Sequence, residues 1–105
     1  MDALEAIGEI NRRRIVELVV DSERSAGDIA AQFTTSRAAI SQHLRVLVDA
    51  GVLRARREGR VRWYSLNSAA LQEVENWLEV QRRRWDNALN QLEIEMAKDH
   101  HEEQS

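Results

Sequence analysis

The chain has 105 residues, 43% of them hydrophobic, with neither Cys nor Pro and a formal net charge of −3. That leaves room for one compact core and no second domain, and it excludes disulfides and every thiolate metal site. Acids precede the first apolar cluster in MDALEAIGEINRRR, and nowhere do eighteen apolar residues run together, so the expectation is a soluble, unprocessed protein with no membrane span.

With no proline to break them, helices should dominate, and their ends must be read from caps and glycines. A short apolar cluster, Leu4 and Ile7, precedes Gly8. Ile10, Ile15, Leu18 and Val19 are then expected on one face of a helix reaching about Val20, with Asp21 to Glu23 as a turn. Ser25, followed three residues on by Asp28, has the form of an N-cap with a carboxylate in the first turn. It predicts a two-turn helix carrying Ile29, Ala30 and Phe33. Thr34 and Thr35 interrupt the pattern. Ser36 then caps a third helix with Ile40, Leu44, Leu47 and Val48 inward, closed by Gly51 at C′. Two helices joined by so tight a polar turn form a helix-turn-helix.

Beyond Gly51 the periodicity becomes extended. Residues 52–57 and 61–66 read as the two strands of a β-hairpin turning at Glu58-Gly59. Trp63 and Tyr64 must face opposite ways, and the pattern does not say which ring is buried. Asn67 or Ser68 caps a last helix to about Lys98, roughly 45 Å long at about 1.5 Å per residue. Its apolar row, Leu71, Val74, Leu78, Trp85, Leu89, Leu92 and Met96, suits a helix pair at a dimer interface better than an extended coiled coil, because the row Gln81, Ala88, Glu95 is weak. The alternative is a helix folded back on its own domain. An apolar effector near Trp77 and Trp85 would leave the same pattern as ordinary packing. Residues 1–98 are thus expected to form one domain, and the polar end, 99–105, a disordered tail.

The net charge hides its distribution. Residues 1–35 carry −3, residues 36–63 carry +5 and residues 64–105 carry −5, and every cation of the middle block is Arg. Such a block suits phosphates and guanine edges. On a helical wheel of the third helix, Ala38, Gln42, Arg45 and Asp49 lie opposite the apolar stripe, with Ser41 beside them. Small residues allow close approach to a groove floor, while Ser41, Gln42 and Arg45 offer groups that read base edges or phosphates. Thr35, Ser36 and Arg37 stand at that helix's N-terminus, where a phosphate would be welcome. His43 borders the buried stripe and could serve either DNA or the fold. The hairpin adds Arg54, Arg56, Arg57, Arg60 and Arg62, of which Arg57, Arg60 and Arg62 are expected nearest the DNA, with at least one arginine pairing with acids of the final helix. No His, Ser or metal constellation at useful spacing accompanies the many acids, so an enzyme is not expected.

The succession NRRRIVELV, SAGDIAAQF and SRAAISQHLRVLVDAGVLRARREGRVRWYSL, from about Asn11 to Asn67, resembles the ArsR family of bacterial winged-helix repressors, and RRRWDNALNQLE is similar to the final helix of some members. The resemblance implies a mainly α winged helix-turn-helix and a homodimer built from the first and last helices (Leu4, Ile7, Leu71, Val74, Leu78, Trp85, Leu89, Leu92). It also implies recognition of a near-palindromic operator by residues 36–49, and repression in the cytoplasm, at the nucleoid. Metal-sensing members carry a Cys motif where this chain reads SAGDIAAQF, or paired His and carboxylate ligands along the last helix. Neither is present, so neither a metal nor another cofactor is expected. Adjacent His100 and His101, with Asp99 or Glu103, are poorly placed for a metal at a frayed end. A winged-helix module that binds proteins instead of DNA is the competing reading.

Overall fold

The computed structural model describes the backbone of residues 1–104 and the side chains of residues 1–99. Among these residues eight elements follow one another: α1 (Ala3–Ile7), α2 (Ile10–Val19), β1 (Arg24–Ser25), α3 (Ala26–Ala31), α4 (Arg37–Asp49), β2 (Leu53–Glu58), β3 (Val61–Leu66) and α5 (Ser68–Gln104). The chain divides into Met1–Val74 and the remainder of α5. In the first unit, Ile15 and Val19 of α2, Ile29 of α3 and Ile40, Leu44 and Leu47 of α4 meet Val52, Leu53 and Tyr64 in one core.

Local chemistry explains where the helices begin and end. The Ser25 hydroxyl accepts from the Asp28 backbone N–H at 3.1 Å, and the Ser36 hydroxyl from Ala39 at the same distance. Both expected caps are therefore present. Helix α4 closes in a Schellman motif: Val52 N–H donates to the Leu47 carbonyl (2.9 Å), Gly51 N–H donates to Val48 (3.0 Å), and Gly51 takes a φ of 78°. The Asn67 side chain accepts from Ala69 N–H at 3.3 Å and donates to the Gly51 carbonyl at 2.8 Å, so it both caps α5 and ties it to the end of α4.

The hairpin turns through Gly59 and Arg60. Gly59 has φ 62° and Arg60 does not have positive φ, the φ pattern of a type II′ turn, which suits the strand twist. Two expectations need correction. The sheet has three antiparallel strands, in the order β1-β3-β2, with Arg24 opposite Tyr64 and Ser25 opposite Trp63. The third is a two-residue strand at Arg24–Ser25, where the sequence predicts only a turn ending at Glu23. Ile10 is 74% exposed rather than inward, because five residues turn a helix by about 140° from the direction of Ile15. The ring left open by the sequence is settled: Tyr64 is buried, at 5% exposure, and Trp63 half-buried.

Helix α5 continues to Gln104, past the expected end near Lys98. The side chains of His100 and His101 lie outside the described residues. Within Glu75–Asp99, Leu78, Trp85, Leu89, Leu92 and Met96 are all exposed, Trp85 at 69%. No helix among the described residues is long and apolar enough to cross a membrane.

Candidate nucleic-acid interface

Helix α4 buries one face and presents the other. Ser41, Gln42 and Arg45 are exposed, as are Ala38 and Asp49, which matches the wheel drawn from the sequence. Thr35, Ser36 and Arg37 are exposed at its N-terminus, with the Ser36 hydroxyl engaged in the cap. His43 is different. Its side chain is 20% exposed and its Nδ1 lies 3.8 Å from Glu9 Oε2, buried and without a hydrogen-bond partner among the described residues. It faces the junction of α1 and α2, not the Gln42 side of the helix.

Glu9 is a neighbour of α4 that the sequence pattern does not reveal. Its carboxylate caps α2 by accepting from Arg12 N–H at 2.8 Å. Its burial works to raise the carboxyl pKa, but the N–H groups of Arg12 and Asn11 and the charges of His43 and Arg12 prevail and hold it below the ordinary value.

The strand register divides the wing into two faces. Directly opposed residues share a face, and the face alternates along the strand. Ala55 with Tyr64 and Arg57 with Arg62 therefore lie on one side, while Arg54 with Ser65 and Arg56 with Trp63 lie on the other. The first side looks toward α4. A groove of about 460 Å³ there is lined by Ser41, Arg45 and Asp49 of α4 and by Ala55, Arg62 and Tyr64 of the sheet. Arg57 Nε donates to the Gly59 carbonyl at 3.3 Å. Among the described residues no carboxylate pairs with Arg37, Arg45, Arg57, Arg60 or Arg62.

On the other side Arg56 is neutralised, while Arg54 has no carboxylate partner among the described residues. Arg56 Nε donates to Glu23 Oε2 at 2.9 Å, its Nη2 donates to Glu23 Oε1, and its Nη1 donates to Glu58 Oε2 at 2.8 Å. The hydrogen bonds from Arg56 hold the Glu23 carboxyl below its ordinary value. Among the described residues, the acids that meet a wing arginine thus come from the turn before β1 and from the wing itself.

The NRRR run also has structural employment. Arg12 Nε donates to the Ala6 carbonyl (2.6 Å) and Arg13 Nε to that of Ile7 (3.3 Å), so both satisfy carbonyls at the end of α1. Arg14 lies over the Phe33 ring, 5.0 Å from its centroid. Arg24 Nε donates to the Leu18 carbonyl at 3.0 Å.

An exposed helix face of hydroxyl, amide and guanidinium groups beside an unpaired arginine pair is the arrangement of a winged helix-turn-helix that meets a duplex. Residues 10–55 match the sequence pattern of the bacterial regulatory proteins of the arsR family. The chain is 39% identical over 77 residues, 73% of its length and 86% of the other's, to the transcriptional repressor SdpR of Bacillus subtilis (strain 168). This chain belongs to the ArsR family. It is also 31% identical over 80 residues, 76% of its length and 71% of the other's, to the transcriptional activator HlyU of Vibrio cholerae serotype O1. Among solved structures, that of a possible transcriptional regulator for arsenical resistance superposes with a TM-score of 0.72 at 41% identity, over 76% of this chain and 83% of that one. This ArsR-family chain is a DNA-binding transcriptional regulator. Among its described residues no three His, Asp or Glu side chains come together as a metal site.

Of the expected dimer residues, Leu4, Ile7 and Val74 are half-buried, while Leu71, Leu78, Trp85, Leu89 and Leu92 are exposed. Ile7, Val16, Val20, Leu66, Leu71 and Val74 line an apolar groove of about 230 Å³ in the first unit.

Proposed function

We propose that the protein is a homodimeric, sequence-specific repressor that lays α4 in the major groove and sets the β2–β3 wing on the flanking backbone or minor groove. The observation that carries this reading is the shared side of α4 and the wing, where Ser41 and Arg45 line one groove with Arg62 and Arg57 stands opposite Arg62 on the same strand face. Arg45 and Gln42 are the base readers. Thr35, Ser36, Arg37 and Ser41 hold phosphates near the helix N-terminus, with Arg57, Arg60 and Arg62 on the wing. His43 supports this surface from behind, through Glu9. The exposed apolar face of α5 and the groove at Ile7 and Leu71 support a second copy as partner, since isolated chains rarely leave so much apolar surface uncovered. Two copies would present two α4 helices to a near-palindromic site, about one helical turn apart. Such a protein works in the bacterial cytoplasm, where the DNA is.

Selection of bound duplexes from a random pool, followed by footprinting, tests the reading. We expect one preferred, near-palindromic sequence whose recovery is abolished by Arg45→Ala together with Gln42→Ala. Recovery of no preferred sequence would refute it. Since SdpR is named a repressor and HlyU an activator, a reporter driven by the selected site decides the sign, and expression that rises with the protein would remove the word repressor.

A further inference from the structure

Arg56 is the wing arginine held by carboxylates. Three of its N–H groups go to two carboxylates, Glu23 and Glu58, and its guanidinium lies 5.6 Å from the Trp63 ring centroid. The three side chains together carry a net negative charge, which does not attract phosphate. They also occupy the face of the wing turned away from Arg57, Arg62 and α4.

The placement of Glu23 gives the cluster a purpose. Strands β1 and β2 are the two edges of the sheet, with β3 between them. Ser25, Trp63 and Arg56 form one row across all three strands, and Glu23, two residues before Ser25, belongs to the same face. The Glu23–Arg56 pair therefore spans the sheet above Trp63. Ser25 is also the N-cap of α3, so the pair fastens the middle of the wing to the start of the helix-turn-helix.

We propose that Arg56 is a positioning residue: through Glu23 it sets the angle of the wing against α3 and α4, and it does not touch DNA. The inference rests on the DNA-binding reading of the wing and α4. An exposed ion pair adds little stability, so its effect is on geometry, by sparing the duplex the cost of ordering the wing.

Charge and position predict opposite signs for one substitution, which makes it the test. Glu23→Gln removes a negative charge, so if charge alone mattered it would leave DNA affinity unchanged or raise it. We expect it instead to weaken binding about three- to tenfold. The probe is the duplex recovered by the wild-type protein from a random pool, titrated by fluorescence anisotropy at several salt concentrations. Arg56→Gln should weaken binding by a similar factor with the salt slope unchanged. Arg62→Gln should make the slope of log K against log salt shallower by about 0.9 for each phosphate it no longer neutralises. The double reversal Glu23→Arg with Arg56→Glu should recover affinity relative to either reversal alone. Circular dichroism melting confirms that each variant is folded, and Glu23→Gln, the mildest change, carries the test should Arg56 variants unfold. Unchanged or tighter binding by Glu23→Gln, or a shallower slope for Arg56→Gln, overturns the inference while leaving the DNA reading intact. If the wild-type protein selects no duplex, the DNA reading falls and takes the inference with it.

Discussion

Arg57 and Arg62 stand directly opposite each other across the wing, on the side that faces α4, with no carboxylate among the described residues paired to either. Like charges in opposed strand positions disfavour the hairpin, at a cost of about 0.2–1 kcal/mol. Replacing either with Gln should therefore leave the melting temperature unchanged or slightly higher while DNA affinity falls. A variant that loses stability and affinity together would show that the pair serves the fold and not the ligand.

The end of α4 offers a cleaner stability test. Gly51 has φ 78°, and a methyl group added there would meet nothing within 4 Å. Gly51→Ala should thus cost about 1–2 kcal/mol from backbone conformation alone. Ser36→Ala should cost about 1 kcal/mol by removing the cap at the other end of the same helix. Urea unfolding measures both, with the slope m expected to be unchanged.

Acid should loosen the domain. Glu9 and Glu23 have folded-state pKa values below the ordinary glutamate value. Each therefore contributes stability, only a little for Glu23 with its solvent-accessible ion pair, that is fully present above the unfolded-state value and is lost as pH falls through the lowered one. The urea midpoint should decline from about pH 5 downward, and Glu23→Gln should flatten part of that decline. A midpoint that stays constant down to about pH 3 would show that neither carboxylate is held by its partners.

The exposed face of α5 makes a prediction about mass. Leu78, Trp85, Leu89 and Leu92 lie along the helix with their side chains open. Trp85→Glu combined with Leu89→Glu should convert a dimer to a monomer in sedimentation equilibrium, and should weaken binding to a two-half-site duplex far more than to a single half-site. A wild-type chain that is monomeric at micromolar concentration would remove the homodimer.

What the sequence disclosed and what it withheld follow one physical rule. Ser25, Ser36 and Gly51 act within four residues of themselves, so spacing alone exposed the helix-turn-helix, and the wheel placed Ser41, Gln42 and Arg45 on one side. The hairpin was legible because Gly59 permits its turn. Strand β1 was not, since two residues show no alternation and its pairing depends on Trp63 and Tyr64 far along the chain. Glu23 and Arg56, 33 residues apart, leave no local trace of each other. The count of arginines therefore overstated what is free to meet a polyanion: Arg12, Arg13 and Arg24 serve backbone carbonyls, and Arg56 serves two acids.

Ser25 ends a strand and caps the next helix, and no linker separates the two roles. A hinge needs slack, and the strand-to-helix step itself offers little. With the Glu23–Arg56 pair in place, the sheet and α3 should turn as one stiff piece, so any mismatch between groove spacing and wing reach would fall on the duplex. The protein would then favour DNA that bends readily at positions it never touches. Enrichment of flexible pyrimidine–purine steps outside the bases that α4 reads, counted in the same pool of selected duplexes, would be the record of that stiffness, and a random distribution of steps would argue for a compliant wing.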